Sequence, residues 1–287
     1  MRAVKEAVRE YLNRPSNAQI QAKVHAAASF IRSQPRPILV YQMAKVGSTS
    51  VCRALKAAGF HPLHVHFLTR EYHRSVTDMY SDVGIKPTHY YLERLLRPYL
   101  TWTNHRLKVI SLVRDPIARY VSGAFQWPMS RELGSDRAEE MSRMLAERLS
   151  RPEALEYEFT WFDRELKTTL DVDVLGNPFR RDEGYGLYDG PRAQVLVVKL
   201  ERLSELLPTV VSDFVGAPLQ NVRANVRRQK GKGDLYAEVK RTFQVPAPVC
   251  EAVYSHDWVH HFYTEAEIAT FTRRWSAASE NREVATA

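Results

Sequence analysis

The sequence predicts an α/β fold with a central parallel sheet flanked by helices. Three short apolar runs, ILVY from residue 38, LKVISLV from 107 and QVLVVKL from 194, are typical of buried strands. Longer segments with helical spacing of their apolar residues lie between these runs. Strands that alternate with helices favour a parallel sheet, because parallel neighbours need a long crossover connection.

The N-terminal part is predicted to be helical over residues 2–12 and 17–33. In the second segment apolar residues recur at helical spacing from Ile20 to Ile31, and prolines at 35 and 37 then interrupt the chain. We therefore expect an N-terminal helical extension over residues 1–35 and a single domain over residues 36–287.

The elements of that domain follow from apolar runs and from turn residues. A Gly after a helix and a Pro in its first turn are typical boundary signals. The predicted order is a strand at Ile38–Tyr41, a helix at Ser50–Ala58, a strand at Pro62–Leu68, a helix around Tyr90–Leu96, a strand at Leu107–Val113, a helix from Pro116, helices over 135–170, a turn at Asp189-Gly190, a strand at Gln194–Leu200 and mostly helix beyond.

Composition limits the class of protein. The 287 residues suffice for one large core, and the net charge of +8 favours anionic partners without choosing among them. No nucleic-acid-binding module is recognisable, so we expect no nucleic-acid partner. No apolar run reaches the ~18 residues of a membrane span, and the charged N-terminus does not resemble a signal peptide. We expect a cytoplasmic protein, with contact to a membrane surface left open.

The loop after the first strand, QMAKVGSTS at 42–50, has the features of a phosphate-binding loop. Its glycine allows close backbone approach, its hydroxyls stand at a helix N-terminus that attracts anions, and its lysine can reach the same anion. The candidate residues are Lys45, Val46, Gly47, Ser48, Thr49 and Ser50. The alternative is an ordinary strand-to-helix turn capped by Ser48.

This loop is not a Walker A motif. That motif places its lysine after a second glycine, whereas Lys45 precedes the only glycine here. The order argues against an enzyme that hydrolyses ATP or GTP.

The loop after the third strand supplies a second set of anion-binding groups. Arg114 leaves the end of a buried strand, and Ser122 follows two helical turns beyond Asp115. The planar donor fork of arginine suits phosphate, and serine can add a donor. The alternative is an ion pair between Arg114 and Asp115 or another carboxylate.

Together these two loops resemble the motifs of the PAPS-dependent sulfotransferases, where PAPS is 3′-phosphoadenosine-5′-phosphosulfate. A-K-V-G-S-T at 44–49 is similar to their P-K-[TS]-G-[TS]-[TS], and residues 114–122 match R-D-P-x-x-R-x-x-S. The resemblance covers roughly residues 36–276 and implies a three-layer, P-loop-like fold. Within the superfamily the chain is most similar to bacterial capsular polysaccharide synthesis proteins, through YQMAKVGSTSV, HVHFL, WFDREL, VVKLERL and HFYTEAEI.

The resemblance also implies roles for these residues. Lys45, with Gly47, Ser48 and Thr49, would bind the 5′-phosphosulfate, and Lys45 would offset charge on the oxygen that bridges phosphorus and sulfur. Arg114 and Ser122 would bind the 3′-phosphate. Many cytosolic relatives have Trp where this chain has Ser50, so no adenine-stacking residue is assigned.

The second strand supplies candidates for the catalytic base. Strand alternation places His64 and His66 on one face, and histidine suits proton transfer near neutral pH. H-V-H-F-L resembles the E-V-H-F-F segment of the heparan glucosaminyl sulfotransferases, with His64 in place of the glutamate. Either histidine remains a candidate. The alternatives are half-buried histidines bonded to backbone, or two metal ligands lacking an identifiable third, and we expect no metal.

A basic loop near the C-terminus completes the candidate site. In related sulfotransferases a late Lys/Arg-Gly loop folds over the 3′-phosphate, which would make Lys230, Gly231 and Lys232 cofactor-binding residues. Asp234 is a candidate cap for the helix that follows. The alternative is a basic loop in solvent.

The expected activity is metal-independent, in-line sulfuryl transfer from PAPS to a hydroxyl of a carbohydrate, glycolipid or polysaccharide precursor. One alternative is a small-molecule kinase of the P-loop class, which would require Mg²⁺ and a Walker lysine. The other is a non-catalytic protein that binds nucleotides or polyanions. The acceptor hydroxyl and the oligomeric state stay open.

Overall fold

The computed structural model describes residues 38–69, 106–125, 137–221 and 232–277, and five single positions that are all helical, namely Ala22, His25, Phe30, Glu71 and Leu96. The N-terminal helices predicted at 2–12 and 17–33 and the helix predicted around residues 90–96 lie outside the described residues except at such positions. The proposed boundary at residue 35 also lies outside them.

Five strands of the described chain form one sheet in the order β2-β1-β3-β5-β4. They are β1 (Ile38–Tyr41), β2 (Leu63–Val65), β3 (Leu107–Val113), β4 (Tyr185–Asp189) and β5 (Ala193–Lys199). β1 lies between β2 and β3 in parallel register, so that Val40 pairs with His64 and Ile110. β3 pairs with β5 in parallel as well. The predicted α/β class with a central sheet is therefore confirmed.

The sheet is not wholly parallel, which corrects the prediction. β4 runs antiparallel to β5 and forms a hairpin through the predicted Asp189-Gly190 turn. Sequence inspection missed β4 because only its inward residues, Gly186 and Tyr188, are buried, and YGLYD lacks an apolar run. By contrast β3 and β5 are buried almost throughout, as strands covered on both faces are.

Helices cover the described sheet and form most of the C-terminal part of the described chain. They are α1 (Ser48–Ala57), α2 (Pro116–Ala124), α3 (Ala138–Leu149), α4 (Glu156–Trp161), α5 (Thr168–Leu170), α6 (Leu203–Leu206), α7 (Ser212–Val215), α8 (Lys232–Thr242), α9 (Ala247–Tyr254), α10 (Asp257–Phe262) and α11 (Glu265–Trp275). A π-helical turn at Phe162–Lys167 joins α4 to α5, and another at Leu207–Val211 joins α6 to α7. Short 3₁₀ turns lie at Pro152–Leu155 and Leu200–Arg202.

The core contains large aromatic side chains that also position the end of β2. Trp161 and Phe162 are buried. Trp161 packs edge-on against Tyr41 and donates a hydrogen bond from Nε1 to the carbonyl oxygen of His66 at 2.9 Å. The buried carboxylate of Glu165 accepts hydrogen bonds from Tyr41 Oη and from the backbone of Leu68. These contacts fasten the chain after β2 to the helical layer.

None of the helices in the described ranges is long and apolar enough to cross a membrane.

Candidate functional site

The predicted site residues come from three adjacent strand ends. Because β2, β1 and β3 are parallel neighbours, their carboxyl ends meet at one edge of the sheet. His66 follows β2, Lys45 lies in the loop after β1, and Arg114 directly follows β3. The structure therefore brings the predicted base, the predicted phosphate loop and the predicted 3′-phosphate arginine to the same edge.

The loop after β1 turns sharply into α1 through two left-handed residues. Lys45 has φ 71° and Gly47 has φ 99°. Gly47 is the N-cap of α1 and no side chain caps the helix, so the alternative of a turn capped by Ser48 is wrong. An N-terminus without a side-chain cap leaves first-turn N–H groups available to an anion.

Gly47 is also required by a close contact with the chain after β5. A Cβ atom at Gly47 would lie 2.4 Å from Cδ1 of Leu200. Backbone conformation and packing therefore both select glycine here.

Lys45 lies in a positively charged part of the loop. Burial lowers the pKa of Lys45, the charges of Arg114 and Arg119 lower it further, and an interaction with Tyr236 opposes these effects. The Lys45 carbonyl oxygen accepts a hydrogen bond from Nη1 of Arg114 at 3.0 Å. The lysine is thus held between cations, which favours an anionic ligand beside it.

A buried ion pair stabilises the backbone of the same loop. Nη1 of Arg119 donates to the carbonyl oxygen of Ala44 at 3.3 Å, and its Nη2 contacts the buried carboxylate of Glu158. The guanidinium also lies 5.3 Å from the ring centroid of Tyr157, whose hydroxyl bonds to the Ala44 backbone. Arg119, Glu158 and Tyr157 therefore fix the backbone immediately before Lys45.

Asp115 does not pair with Arg114, which excludes the Asp115 form of that alternative for the second loop. Its buried carboxylate accepts hydrogen bonds from Tyr254 Oη at 2.7 Å, from Trp275 Nε1 at 2.6 Å and from the Ile117 backbone at 3.0 Å. Burial raises the pKa of Asp115 and these hydrogen bonds oppose the rise. The residue joins α2 to the C-terminal helices and leaves the arginine to other partners.

Glu201 lies beside the same turn. Its Oε1 accepts a hydrogen bond from the Asp115 backbone N–H at 2.9 Å, and its Oε2 accepts one from Tyr263 Oη at 3.4 Å. Glu201 therefore fixes the backbone of the second loop through hydrogen bonds.

Arg114 and Ser122 meet at the hydroxyl of Tyr236. This hydroxyl hydrogen-bonds with both side chains. Burial alone would raise the pKa of Tyr236, but those bonds and the charges of Arg114 and Lys240 outweigh it, so the pKa lies below its ordinary value. The two predicted 3′-phosphate residues, eight positions apart in sequence, thus form one polar site.

The histidines share a face at the end of β2, as predicted. Their ring centroids are 4.5 Å apart, and both side chains are half-buried while Leu63 and Val65 face the core. Nδ1 of His66 lies 2.9 Å from the carbonyl oxygen of Gln42. A carbonyl oxygen can only accept, so Nδ1 carries hydrogen and, in the neutral ring, Nε2 carries the lone pair.

Gln42 is a buried polar residue of the site that sequence inspection passed over. Its side chain is fully buried, and neither amide atom has a hydrogen-bond partner among the described residues. Strand alternation and register place Gln42 on the face of His64 and His66. A buried amide without partners costs free energy and usually has a functional explanation.

The C-terminal basic loop is only partly described. Lys230 and Gly231 lie outside the described residues, and Lys232 is the first residue of α8. Asp234 was predicted to cap this helix but lies inside it, because α8 begins two residues earlier. Tyr236 is on the same helix, one turn after Lys232.

No cluster of three or more metal-ligating side chains occurs in the part of the chain that the structure describes.

One comparison with known proteins gave a match. A family model, NKWYS, putative capsular polysaccharide synthesis protein, matches residues 143–264, less than half of the 287-residue chain. The match includes Glu158 and Tyr236 and excludes the loops after β1 and β3. Searches of curated proteins and of solved structures found no match.

Three residues of the site were not among the predicted ones, namely Arg119, Gln42 and Tyr236. Arg119 is the second arginine of R-D-P-x-x-R, so its position in the motif could have identified it. Gln42 is a polar residue directly after an apolar strand, which is a weaker signal. No sequence pattern could have identified Tyr236, because only the packing of α8 brings it to Arg114.

Proposed function

We propose that this protein is a PAPS-dependent sulfotransferase whose acceptor is a hydroxyl of a carbohydrate, glycolipid or polysaccharide precursor. The observation that carries the proposal is the convergence of Arg114 and Ser122 on one point, next to a separate cationic loop at Lys45. Two neighbouring anion sites suit a nucleotide with one phosphate group on each side of its ribose. ATP and GTP lack the 3′-phosphate.

The residues present fit such a donor. The N-terminus of α1, which no side chain caps, and the left-handed loop that precedes it would hold the 5′-phosphosulfate through backbone N–H groups. Arg114 has no carboxylate ion pair among the described residues, so its donor fork can face a phosphate. When bound, PAPS supplies the sulfuryl group.

The chain's own residues would assist transfer as follows. Lys45 would stabilise negative charge on the leaving oxygen, as a positioned cation does in a partly dehydrated site. His66 would accept the acceptor's proton at Nε2, because Gln42 holds the hydrogen at Nδ1. This tautomer favours His66 over His64 as the base. Arg119 and Glu158 would keep Lys45 in place.

The acceptor class rests on the family match. The matched family is named for capsular polysaccharide synthesis, and the net charge of +8 favours an anionic glycan or glycolipid. Both observations support a sugar hydroxyl over a small apolar alcohol.

Calorimetry would test the donor site. We expect 3′-phosphoadenosine-5′-phosphate to bind at least about ten times more tightly than ADP, since charge-assisted hydrogen bonds contribute about 1.5–3 kcal/mol each. Equal affinity would rule out the proposed donor.

A transfer assay would test catalysis. Wild-type protein incubated with sulfur-labelled PAPS should transfer label to at least one member of a panel of oligosaccharides, glycolipids and polysaccharide precursors. Lys45→Met should lose transfer and retain most of its nucleotide affinity. Tight nucleotide binding without transfer to any panel member would favour the non-catalytic binder.

A further inference from the structure

Tyr236 interacts with both residues of the proposed 3′-phosphate site although it belongs to neither motif. Its hydroxyl bonds to the guanidinium of Arg114 and to the hydroxyl of Ser122. It also interacts electrostatically with Lys45 of the loop after β1.

Packing holds the Tyr236 ring in this position. The ring meets Phe125 edge-on, with centroids 5.0 Å apart and an interplanar angle of 75°. Leu235 and Val239 of the same helix are buried, and α8 packs against α2 and α3. The contact with Phe125 and the packing of α8 against α2 therefore place the Tyr236 ring beside the end of the helix that carries Ser122.

The charges around the hydroxyl call for an anion. The positive charges of Arg114 and Lys240 interact with the Tyr236 hydroxyl, and Lys45 also interacts electrostatically with Tyr236. A neutral phenol satisfies hydrogen bonds but does not balance these charges. A phosphate would do both, since its oxygens can accept from Arg114, from Ser122 and from the phenol O–H.

We propose that Tyr236 is a third ligand of the phosphate that Arg114 and Ser122 would bind, and that it helps select a phosphate monoester over a free hydroxyl at this point. The inference rests on the proposed function. A terminal phosphate has three oxygens for these three donors. A 3′-hydroxyl has one oxygen and would leave donors unpaired, which is the basis of strong discrimination.

Tyr236→Phe tests this inference because the Phe ring keeps the contact with Phe125 and removes only the hydroxyl. We expect the dissociation constant for 3′-phosphoadenosine-5′-phosphate to rise about five- to twenty-fold and that for ADP to stay within about two-fold. Both would be measured by calorimetry, with thermal unfolding as a check that the variant is folded.

Tyr188→Phe is the matched control. Tyr188 lies on β4, and its hydroxyl has no hydrogen-bond partner among the described residues. Removing that hydroxyl should leave affinity for both nucleotides unchanged.

Three results would overturn the inference. Unchanged or tighter binding of the 3′-phosphorylated nucleotide by Tyr236→Phe would mean that the hydroxyl is no ligand. Equal weakening for both nucleotides would assign it a structural role. A wild-type protein that does not distinguish the two nucleotides would refute the donor proposal together with this inference, whereas the first two results leave the donor proposal intact.

Discussion

The guanidinium of Arg114 donates a hydrogen bond to the carbonyl oxygen of Lys45 at 3.0 Å. The arginine at the end of β3 therefore holds the backbone of the loop after β1, and the two predicted motifs are one physical unit. A change at Arg114 should affect both the proposed 3′-phosphate site and the conformation of the lysine loop.

Arg114→Lys should weaken binding of 3′-phosphoadenosine-5′-phosphate by about ten-fold or more. Lysine keeps the positive charge but loses the planar fork that can face Lys45 and a phosphate together. Calorimetry measures the effect. Arg106→Lys is the control, because Arg106 precedes the amino end of β3 and pairs with the exposed Asp189. Equal affinities for all three proteins would show that the fork is not used.

Gly47→Ala should destabilise the protein by about 2–4 kcal/mol, through a left-handed backbone and overpacking of Leu200. Gly59 has a similar φ of 86°, and a Cβ there would meet nothing within 4 Å. Gly59→Ala should therefore cost only about 1 kcal/mol. Urea unfolding of the two variants separates the clash from the backbone strain. A similar loss in both would mean that Leu200 moves aside.

Glu158→Gln should destabilise the protein by about 3 kcal/mol, because it removes the carboxylate that pairs with the Arg119 guanidinium, whose side chain is only 11% exposed. The substitution should also weaken nucleotide binding, since Arg119 donates a hydrogen bond to the Ala44 carbonyl oxygen next to Lys45. Asp189→Asn breaks an exposed pair with Arg106 and should cost less than about 1 kcal/mol. Chemical denaturation gives both values, and a loss below about 1 kcal/mol for Glu158→Gln would contradict the expectation.

Glu165→Gln should change how stability depends on pH. Burial raises the pKa of Glu165 above its ordinary 4.5, against the effect of its hydrogen bonds. The folded protein therefore binds this proton more tightly than the unfolded chain. The resulting stability is complete below about pH 4.5 and is lost as pH rises through the folded pKa. Glutamine cannot titrate, so the variant should gain stability relative to wild type as the pH rises above about 4.5.

The substitution suits the site because Thr69 can reverse its hydrogen bond. Its Oγ1 donates to Oε1 of Glu165 at 2.6 Å and could accept from a glutamine amide instead. Unfolding by urea at several pH values would show the change, with Asp163→Asn as the control, because Asp163 is exposed and lies two residues before Glu165. A constant difference between wild type and Glu165→Gln would disprove a raised pKa.

Gln42→Met should raise the melting temperature. Two buried amide atoms without partners each cost about 1–3 kcal/mol, and methionine has a similar volume without them. If the amide contacts the acceptor, the same variant should lose sulfuryl transfer while it gains stability. Scanning calorimetry and the transfer assay measure the two effects. A lower melting temperature would show that the amide is satisfied in solution.

Much of the fold could be predicted from the sequence. Near-continuous apolar runs identified β1, β3 and β5, because strands covered on both faces need such residues. The Asp189-Gly190 turn was also correct. β4 was missed because an edge strand buried on one side carries a weaker pattern, and YGLYD includes a glycine.

By itself the sequence determined the loops that carry Lys45 and Arg114, because a lysine and a glycine before a helix, or an arginine at a strand end, are local patterns. Only the tertiary structure decided that Asp115 turns to Tyr254 and Trp275 and that Tyr236 joins Arg114 to Ser122. Those contacts span more than a hundred residues of chain and depend on how the C-terminal helices pack, which no local pattern records.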